Sequence, residues 1–270
     1  MIDALLQYPF LQYALIAGLL ASVGCGVVGA WVVVKRIGFM AGGIAHAALG
    51  GMGVAQYYGV SPLLGATIAA LFSALLIGWI RLRYRQNEDT LIATVWAAGM
   101  AVGILFISQT PGYNISLTSF LFGNILMVSP AELKLMALVN LLIIGAIVVF
   151  YRPLLAVAFD EEFARVRGLN VEFYYLLLLC IVALTVVLLI QVVGLILVLA
   201  LLTLPAAMAL RFSTSLSTAM LLSTLLGAVF VVSGLGLAFR TDLPAGPVII
   251  LVAVAAYLAF LLMRPGKRAT

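Results

Sequence analysis

The single histidine of the chain, His46, is the residue best suited to bind a metal ion. It lies in a long uncharged stretch, about nine residues beyond the basic pair Lys35–Arg36, so a helix would carry it close to the middle of a membrane. Ionisable groups at that depth are costly and are usually functional. A neutral imidazole is a good ligand for first-row divalent metals. The alternative is a histidine that only hydrogen-bonds a neighbouring helix.

Glycines surround this histidine at helical spacing. Gly42, His46, Gly50 and Gly53 fall along one face of a helix. Such a face lets a second backbone approach closely, or it leaves room for a substrate beside the imidazole. We expect the three glycines to line the same path as His46.

A second group of functional residues lies in the one sizeable hydrophilic loop, Tyr151 to Glu172. Its segment 160–169 has acids first, basic residues in the last turn and a terminal glycine, the pattern of a short capped helix. These residues are Asp160, Glu161, Glu162, Ala164, Arg165, Arg167 and Gly168. Phe159, Phe163 and Val166 form an apolar stripe. The segment therefore either lies on the membrane surface or docks into a groove of a cytoplasmic partner.

Pro205 lies within an apolar stretch and removes one backbone hydrogen bond, which predicts a kinked helix. Thr203 is available to satisfy the freed carbonyl. Kinks often mark moving helices, so we expect these two residues to take part in gating.

The elements that position these residues are helices in a membrane. Hydrophobic residues make up 66% of the 270 residues and charged residues 9%, too few charges for a soluble domain. Disorder and a disulfide-rich secreted module are excluded by the hydrophobicity and by the two isolated cysteines, Cys25 and Cys180. The chain is predicted to be an all-α polytopic integral membrane protein with a single transmembrane domain over residues 1–270.

Uncharged stretches and the breakers between them predict about nine spans. The spans are placed in 4–34, twice in 37–80, in 90–108, in 135–150, twice in 173–210 with a division near Gln191, in 212–239 and in 247–263. Residues 113–128 are too short and too polar to span, and their apolar end is expected to be re-entrant or interfacial.

Charge placement supports this count, because Lys and Arg accumulate on the cytoplasmic side. With the N-terminus outside and the C-terminus inside, 12 of the 14 basic residues fall in cytoplasmic loops. These are Lys35, Arg36, Arg81, Arg83, Arg85, Arg152, Arg165, Arg167, Arg211, Arg264, Lys267 and Arg268, against Lys134 and Arg240 outside. The net charge of +5 is thus a topology signal and does not indicate nucleic-acid binding.

Motifs of catalysis are missing from the sequence. It contains no GxxxxGK[ST] phosphate loop, no HExxH and no GxSxG. We therefore expect a protein that is not itself an ATPase, a metalloprotease or a serine hydrolase.

Seven short stretches, in order, resemble the membrane permeases of the zinc/manganese branch of ATP-binding-cassette importers. They are Phe39–Ala47, Glu88–Thr90, Leu121–Asn124, Ala158–Asp160, Val193–Leu197, Leu201–Ala207 and Leu243–Pro247. Glu162, Ala164 and Gly168 also match the docking motif of importer permeases, which favours a coupling helix at about 160–169.

This resemblance implies a bacterial plasma-membrane (inner-membrane) permease that acts as a homodimer in lipid. Two cytoplasmic ATP-binding subunits would sit on the coupling helices and hydrolyse ATP, and an extracytoplasmic metal-binding protein would deliver the cargo. Zinc or manganese is the implied substrate, and no permanently bound cofactor is expected. The family forms its transient metal site at the dimer axis from a carboxylate and a histidine four residues apart.

His46 matches the family histidine, but Gly42 occupies the carboxylate position. Two symmetry-related imidazoles without acids would hold a cation less tightly and would leave its charge uncompensated. A permease for an iron chelate, haem or cobalamin shares the same architecture and stays open as an alternative. A more remote alternative is an intramembrane enzyme or scaffold.

Overall fold

The computed structural model describes residues 8–84, 88–110 and 123–263, and within these ranges the regular structure is helical. The elements are α1 (Pro9–Val34), α2 (Gly38–Tyr57), α3 (Pro62–Tyr84), α4 (Glu88–Ser108), a 3₁₀ turn (Ile125–Met127), α5 (Pro130–Val149), α6 (Tyr151–Phe159), α7 (Glu161–Val166), α8 (Val171–Val193), α9 (Leu195–Ala209), α10 (Leu216–Thr241) and α11 (Ala245–Met263).

Eight of the described helices are long and apolar enough to cross a membrane, and α9 is the shorter ninth. Its 15 residues measure about 22 Å along the axis, against about 30 Å for a hydrocarbon core. The division of 173–210, expected near Gln191, falls at Gly194 instead. Gly194 has φ +83°, a backbone conformation that glycine adopts without steric cost.

The basic loops meet at one end of the helix bundle. Lys35, between α1 and α2, forms an ion pair with Glu161 of α7, and the Arg81 guanidinium lies over the Tyr175 ring of α8. Arg211, after α9, approaches Phe260 near the end of α11. The prediction that these basic loops lie on the same side of the bundle is confirmed. Arg85 and residues 264–270, which are also predicted on that side, lie outside the described residues.

The opposite end carries the start of α1, the 3₁₀ turn and the α10–α11 connection. Phe10, Leu126 and Leu243 line one cavity of about 280 Å³ there. Of the expected re-entrant or interfacial piece at 113–128, only Gly123 onward is described. In that part Ile125 is buried, whereas Met127 is 80% exposed.

Close contact at small residues holds the helices together. Apolar side chains gain little from leaving lipid, so van der Waals packing and interhelical hydrogen bonds stabilise such bundles. Gly51 of α2 and Gly65 of α3 bring their backbones together, with the carbonyl of each facing the other glycine. Between α5 and α1, the Asn140 side-chain amide donates to the Leu20 carbonyl at 2.9 Å.

Gly51→Val tests the contact between α2 and α3. A side chain at this position would overlap the Gly65 carbonyl, and overpacking typically costs about 1–3 kcal/mol. We expect the thermal unfolding midpoint of the detergent-solubilised protein to fall by several degrees. Gly145→Val is the matched control, because that glycine is exposed and faces open space. Equal midpoints for the two variants would contradict the packing described here.

Candidate functional site

His46 lies flat against Trp96, which projects from α4. The two ring centroids are 4.1 Å apart and the planes differ by 11°, a stacked arrangement. The Trp96 indole in turn donates to the Met100 sulfur at 3.0 Å, which holds the indole in place. The imidazole therefore has one face fixed by a neighbouring helix.

The Nδ1 atom of His46 is buried and has no hydrogen-bond partner in the described part of the chain. Buried polar atoms are usually paired, and an unpaired one needs an explanation. In the described part of the chain, Nδ1 makes no hydrogen bond to a neighbouring helix carbonyl. A free imidazole nitrogen at this depth is chemically able to bind a divalent cation.

The glycines on the helix face that carries His46 have two different environments, and Gly50 and Gly53 share the first. A Cβ on Gly50 would lie 2.7 Å from the Gly99 carbonyl oxygen, and one on Gly53 would lie 2.5 Å from that of Gly103. These two glycines thus serve the close approach of α4, the first of the two alternatives that the sequence left open.

Gly42 has a different environment. A Cβ there would come no nearer than 3.8 Å to another side chain, the Cδ1 atom of Leu199 on α9. This is an ordinary van der Waals distance, so position 42 would accept a methyl group. One turn before His46, α2 and α9 therefore leave a small gap at Gly42.

The α9 helix brings Thr203 next to the start of α2, where a Cβ on Gly38 would lie 3.7 Å from the Thr203 methyl carbon. Pro205 is buried inside the helix. The expectation that Thr203 satisfies the carbonyl freed by the proline is wrong. Its hydroxyl donates at 2.7 Å to Leu199, whereas the freed carbonyl belongs to Leu201, because a threonine hydroxyl reaches back along its own turn.

The predicted short helix of 160–169 is present as α7. Asp160 is its N-cap and accepts a hydrogen bond from the Phe163 backbone N–H at 2.9 Å. At the other end Gly168 has φ +77°, and the N–H groups of Gly168 and Leu169 donate to the carbonyls of Arg165 and Ala164. This pairing is a Schellman ending, as the terminal glycine predicts.

One side of α7 packs against the protein and the other faces outward. Ala164 is fully buried, whereas Glu162 and Arg165 are exposed. The apolar stripe is also exposed, with Val166 at 87% and Phe163 at 50%. A shallow groove of about 600 Å³ runs beside it and is lined by α6, the Asp160–Phe163 segment and the turn at residues 214–216.

Trp96 and Leu199 are site residues that the sequence reasoning missed. Each comes from a helix distant in sequence from α2, and no spacing in the chain pairs them with His46 or Gly42. Within the described residues, no group of three or more His, Cys, Asp and Glu side chains could hold a metal ion.

Comparison with known proteins gives consistent results along the chain. The model of a family described as the ABC 3 transport family matches residues 7–264. A probable metal transport system membrane protein of Chlamydia pneumoniae is 42% identical over 92% of this chain and 87% of its own length. The manganese transport system membrane protein MntC of Halalkalibacterium halodurans is 34% identical, over 93% of this chain and 86% of its own.

A solved structure also matches nearly the whole chain. It is that of PsaBC from Streptococcus pneumoniae in complex with Fab, with a TM-score of 0.88 and 32% sequence identity. The match covers 99% of this chain and 96% of the other. The helix arrangement described above is therefore shared by a protein of related sequence.

The stacking of His46 on Trp96 can be tested by NMR, because the chain has one histidine. In tag-free protein carrying isotope-labelled histidine, the imidazole protons should be shifted upfield by the indole ring. We expect Trp96→Leu to remove that shift. Trp79→Leu, which removes a half-exposed indole on α3, is the control and should leave the spectrum unchanged. A spectrum that is insensitive to Trp96→Leu would contradict the stacked geometry.

Proposed function

The chain belongs to the ABC 3 transport family, and we propose that it forms the translocation path of an ATP-driven importer of divalent metal. It is a multi-pass protein of the bacterial plasma membrane and a transporter subunit with no enzymatic activity of its own. We propose manganese as the first candidate cargo, because relatives at 34% and 33% identity are named manganese transport proteins. Zinc is the second, because imidazole is a favourable zinc ligand.

The observation that carries the proposal is the unpartnered Nδ1 atom of His46, a residue one helical turn after the gap at Gly42. One imidazole does not make a metal site, so we propose a homodimer in which two copies of His46 approach the cargo. With no carboxylate at position 42, water molecules in the gap would complete the coordination shell. Water and other oxygen ligands suit manganese. A weakly held ion is also easier to release, which transport requires.

We propose that α7 is the coupling helix on which a cytoplasmic ATP-binding subunit sits. Its exposed apolar stripe, capped ends and adjacent groove have the form of a helix that docks into a partner. The sequence has no phosphate-binding loop, so ATP hydrolysis would take place on that partner. An extracytoplasmic binding protein would load the metal at the opposite end. Movement of α7 would rock the two copies and open the path to each side in turn, with the Thr203–Pro205 segment of α9 as the gate.

His46→Ala should lower ATP-driven uptake of radiolabelled Mn²⁺ into proteoliposomes at least about tenfold, the size of effect expected when metal coordination is weakened. Gly42→Ala is the matched control, because the gap accepts a methyl group and no ligand is lost. It should transport nearly as well as the wild type. Competition by unlabelled Zn²⁺ and Mn²⁺ in the same vesicles identifies the preferred cargo. Normal uptake by His46→Ala would reduce this residue to a packing role.

Val166→Asp addresses the coupling helix. Burying a new carboxylate in an interface carries a large desolvation cost, so we expect at least about tenfold weaker association with the ATP-binding subunit. Co-purification from detergent measures it. Met127→Asp places the same charge on a similarly exposed residue at the other end of the bundle and should leave association intact. Should the two variants bind the subunit equally well, α7 is not its docking site.

A further inference from the structure

Lys35 makes contacts with three separate elements at the cytoplasmic end. Its ammonium group lies 2.8 Å from a carboxylate oxygen of Glu161 on α7 and donates to the Val157 carbonyl of α6 at 3.0 Å. It also lies 5.9 Å from the centre of the Tyr175 ring on α8. The Lys35 side chain is only 9% exposed, whereas that of Glu161 is 38% exposed.

The Val157 carbonyl belongs to the last turn of α6, where backbone carbonyls lack partners within the helix. A cation at a helix C-terminus satisfies such a group and interacts favourably with the helix dipole. Lys35 thus joins the end of α6 to the start of α7. A displacement of α7 would act directly on the lysine side chain.

The backbone at Lys35 is equally constrained. Its N–H donates to the Trp31 carbonyl at the end of α1, and Arg36 follows with φ +57°. The N–H of Ile37 bonds back to Val32, and α2 begins at Gly38. The connection between α1 and α2 is therefore a tight, hydrogen-bonded turn of only three residues. Any shift of Lys35 passes to the first turn of α2.

Tyr175 makes a second contact with the first turn of α2. Its hydroxyl contacts the Met40 sulfur at 3.8 Å, and its ring lies beneath the Arg81 guanidinium at 4.5 Å. Met40 is buried and lies six residues, about 1.7 helical turns, before His46 on α2. The contacts therefore run without interruption from α7, through Lys35 and Tyr175, to the helix that carries the imidazole.

We propose that Lys35 is a positioning residue that transmits the displacement of α7 to α2 and so couples the ATP-binding subunit to the metal site. The inference rests on the proposed function. Lys35 touches α7 at Glu161, and its own side chain is only 9% exposed, so it lies away from the exposed apolar stripe that would dock the partner. Its loss should separate ATP hydrolysis from transport without removing either partner.

The test compares wild type, Lys35→Met, Glu161→Gln and the double variant Lys35→Met/Glu161→Met, each reconstituted with its ATP-binding subunit and binding protein. Methionine keeps the length of the lysine stem and removes the charge. The measured quantity is Mn²⁺ taken up per ATP hydrolysed. We expect Lys35→Met to lower this ratio at least about fivefold, the low end of usual coupling between sites. The double variant should be no worse than Lys35→Met, since residues that act as one pair are not additive.

Lys134→Met is the matched control, because Lys134 is an exposed lysine at the opposite end of the bundle. Its ratio should equal that of wild type. Thermal midpoint and co-purification are recorded for every variant, because a lysine that only braced the fold would lower the midpoint and leave the ratio unchanged. If Lys35→Met does not assemble, Glu161→Gln decides, since it keeps the hydrogen bond to Val157 and weakens only the link to α7.

The outcomes separate the two levels of inference. Wild-type vesicles that accumulate neither Mn²⁺ nor Zn²⁺ with ATP would contradict the proposed function itself. Wild-type transport with an unchanged ratio in Lys35→Met, or in Glu161→Gln where the first variant fails to assemble, would overturn the coupling role of Lys35 alone.

Discussion

Backbone contact at glycine is the interaction on which this structure depends. The α2 helix is held between two neighbours by such contacts, through Gly51 against Gly65 of α3 and through Gly50 and Gly53 against α4. In lipid these contacts replace the hydrophobic driving force that packs soluble helices. They bring α4 close to α2, and the Trp96 indole and the His46 imidazole stack across this interface. The glycines thus set the short distance between the two helices that carry the stacked rings.

The two ends and the middle of the bundle have different chemistry. Charged side chains gather at the cytoplasmic end, where Lys35 joins the α1–α2 turn to α6 and α7. The middle holds the imidazole and the gap at Gly42, with hydrophobic side chains around them. The contacts from α7 to α2 therefore pass through charged and hydrogen-bonded groups before they reach the apolar helix that carries His46. Under the proposed function, this arrangement would let a displacement of α7 reach the imidazole.

Features that depend on local chemistry could be predicted from the sequence. Neighbouring residues alone predict that α7 is a capped helix, with an N-cap at Asp160 and a glycine ending. Most spans follow from the uncharged stretches between basic loops. The pairing of His46 with Trp96 and of Lys35 with Glu161 could not be predicted, because each joins helices far apart in the chain. Thr203 was misassigned for a related reason: sequence shows that a hydroxyl is present but not which carbonyl it reaches. The docking and metal-binding roles of these residues stay predictions.

The short length of α9 has a consequence for the passage of an ion. The electrostatic cost of moving a charge through lipid arises from the thickness of the low-dielectric layer it must cross. At α9 the apolar helix has only 15 residues, and Gly123 packs against Val193 and Gly194 just before its first residue. Leu199 is the fifth residue of α9 and lies closest to Gly42. The shortest of the described apolar helices thus lies beside Gly42. If position 42 lines the path of an ion, as proposed, this short helix would leave less apolar protein between the ion and water than a full-length span would.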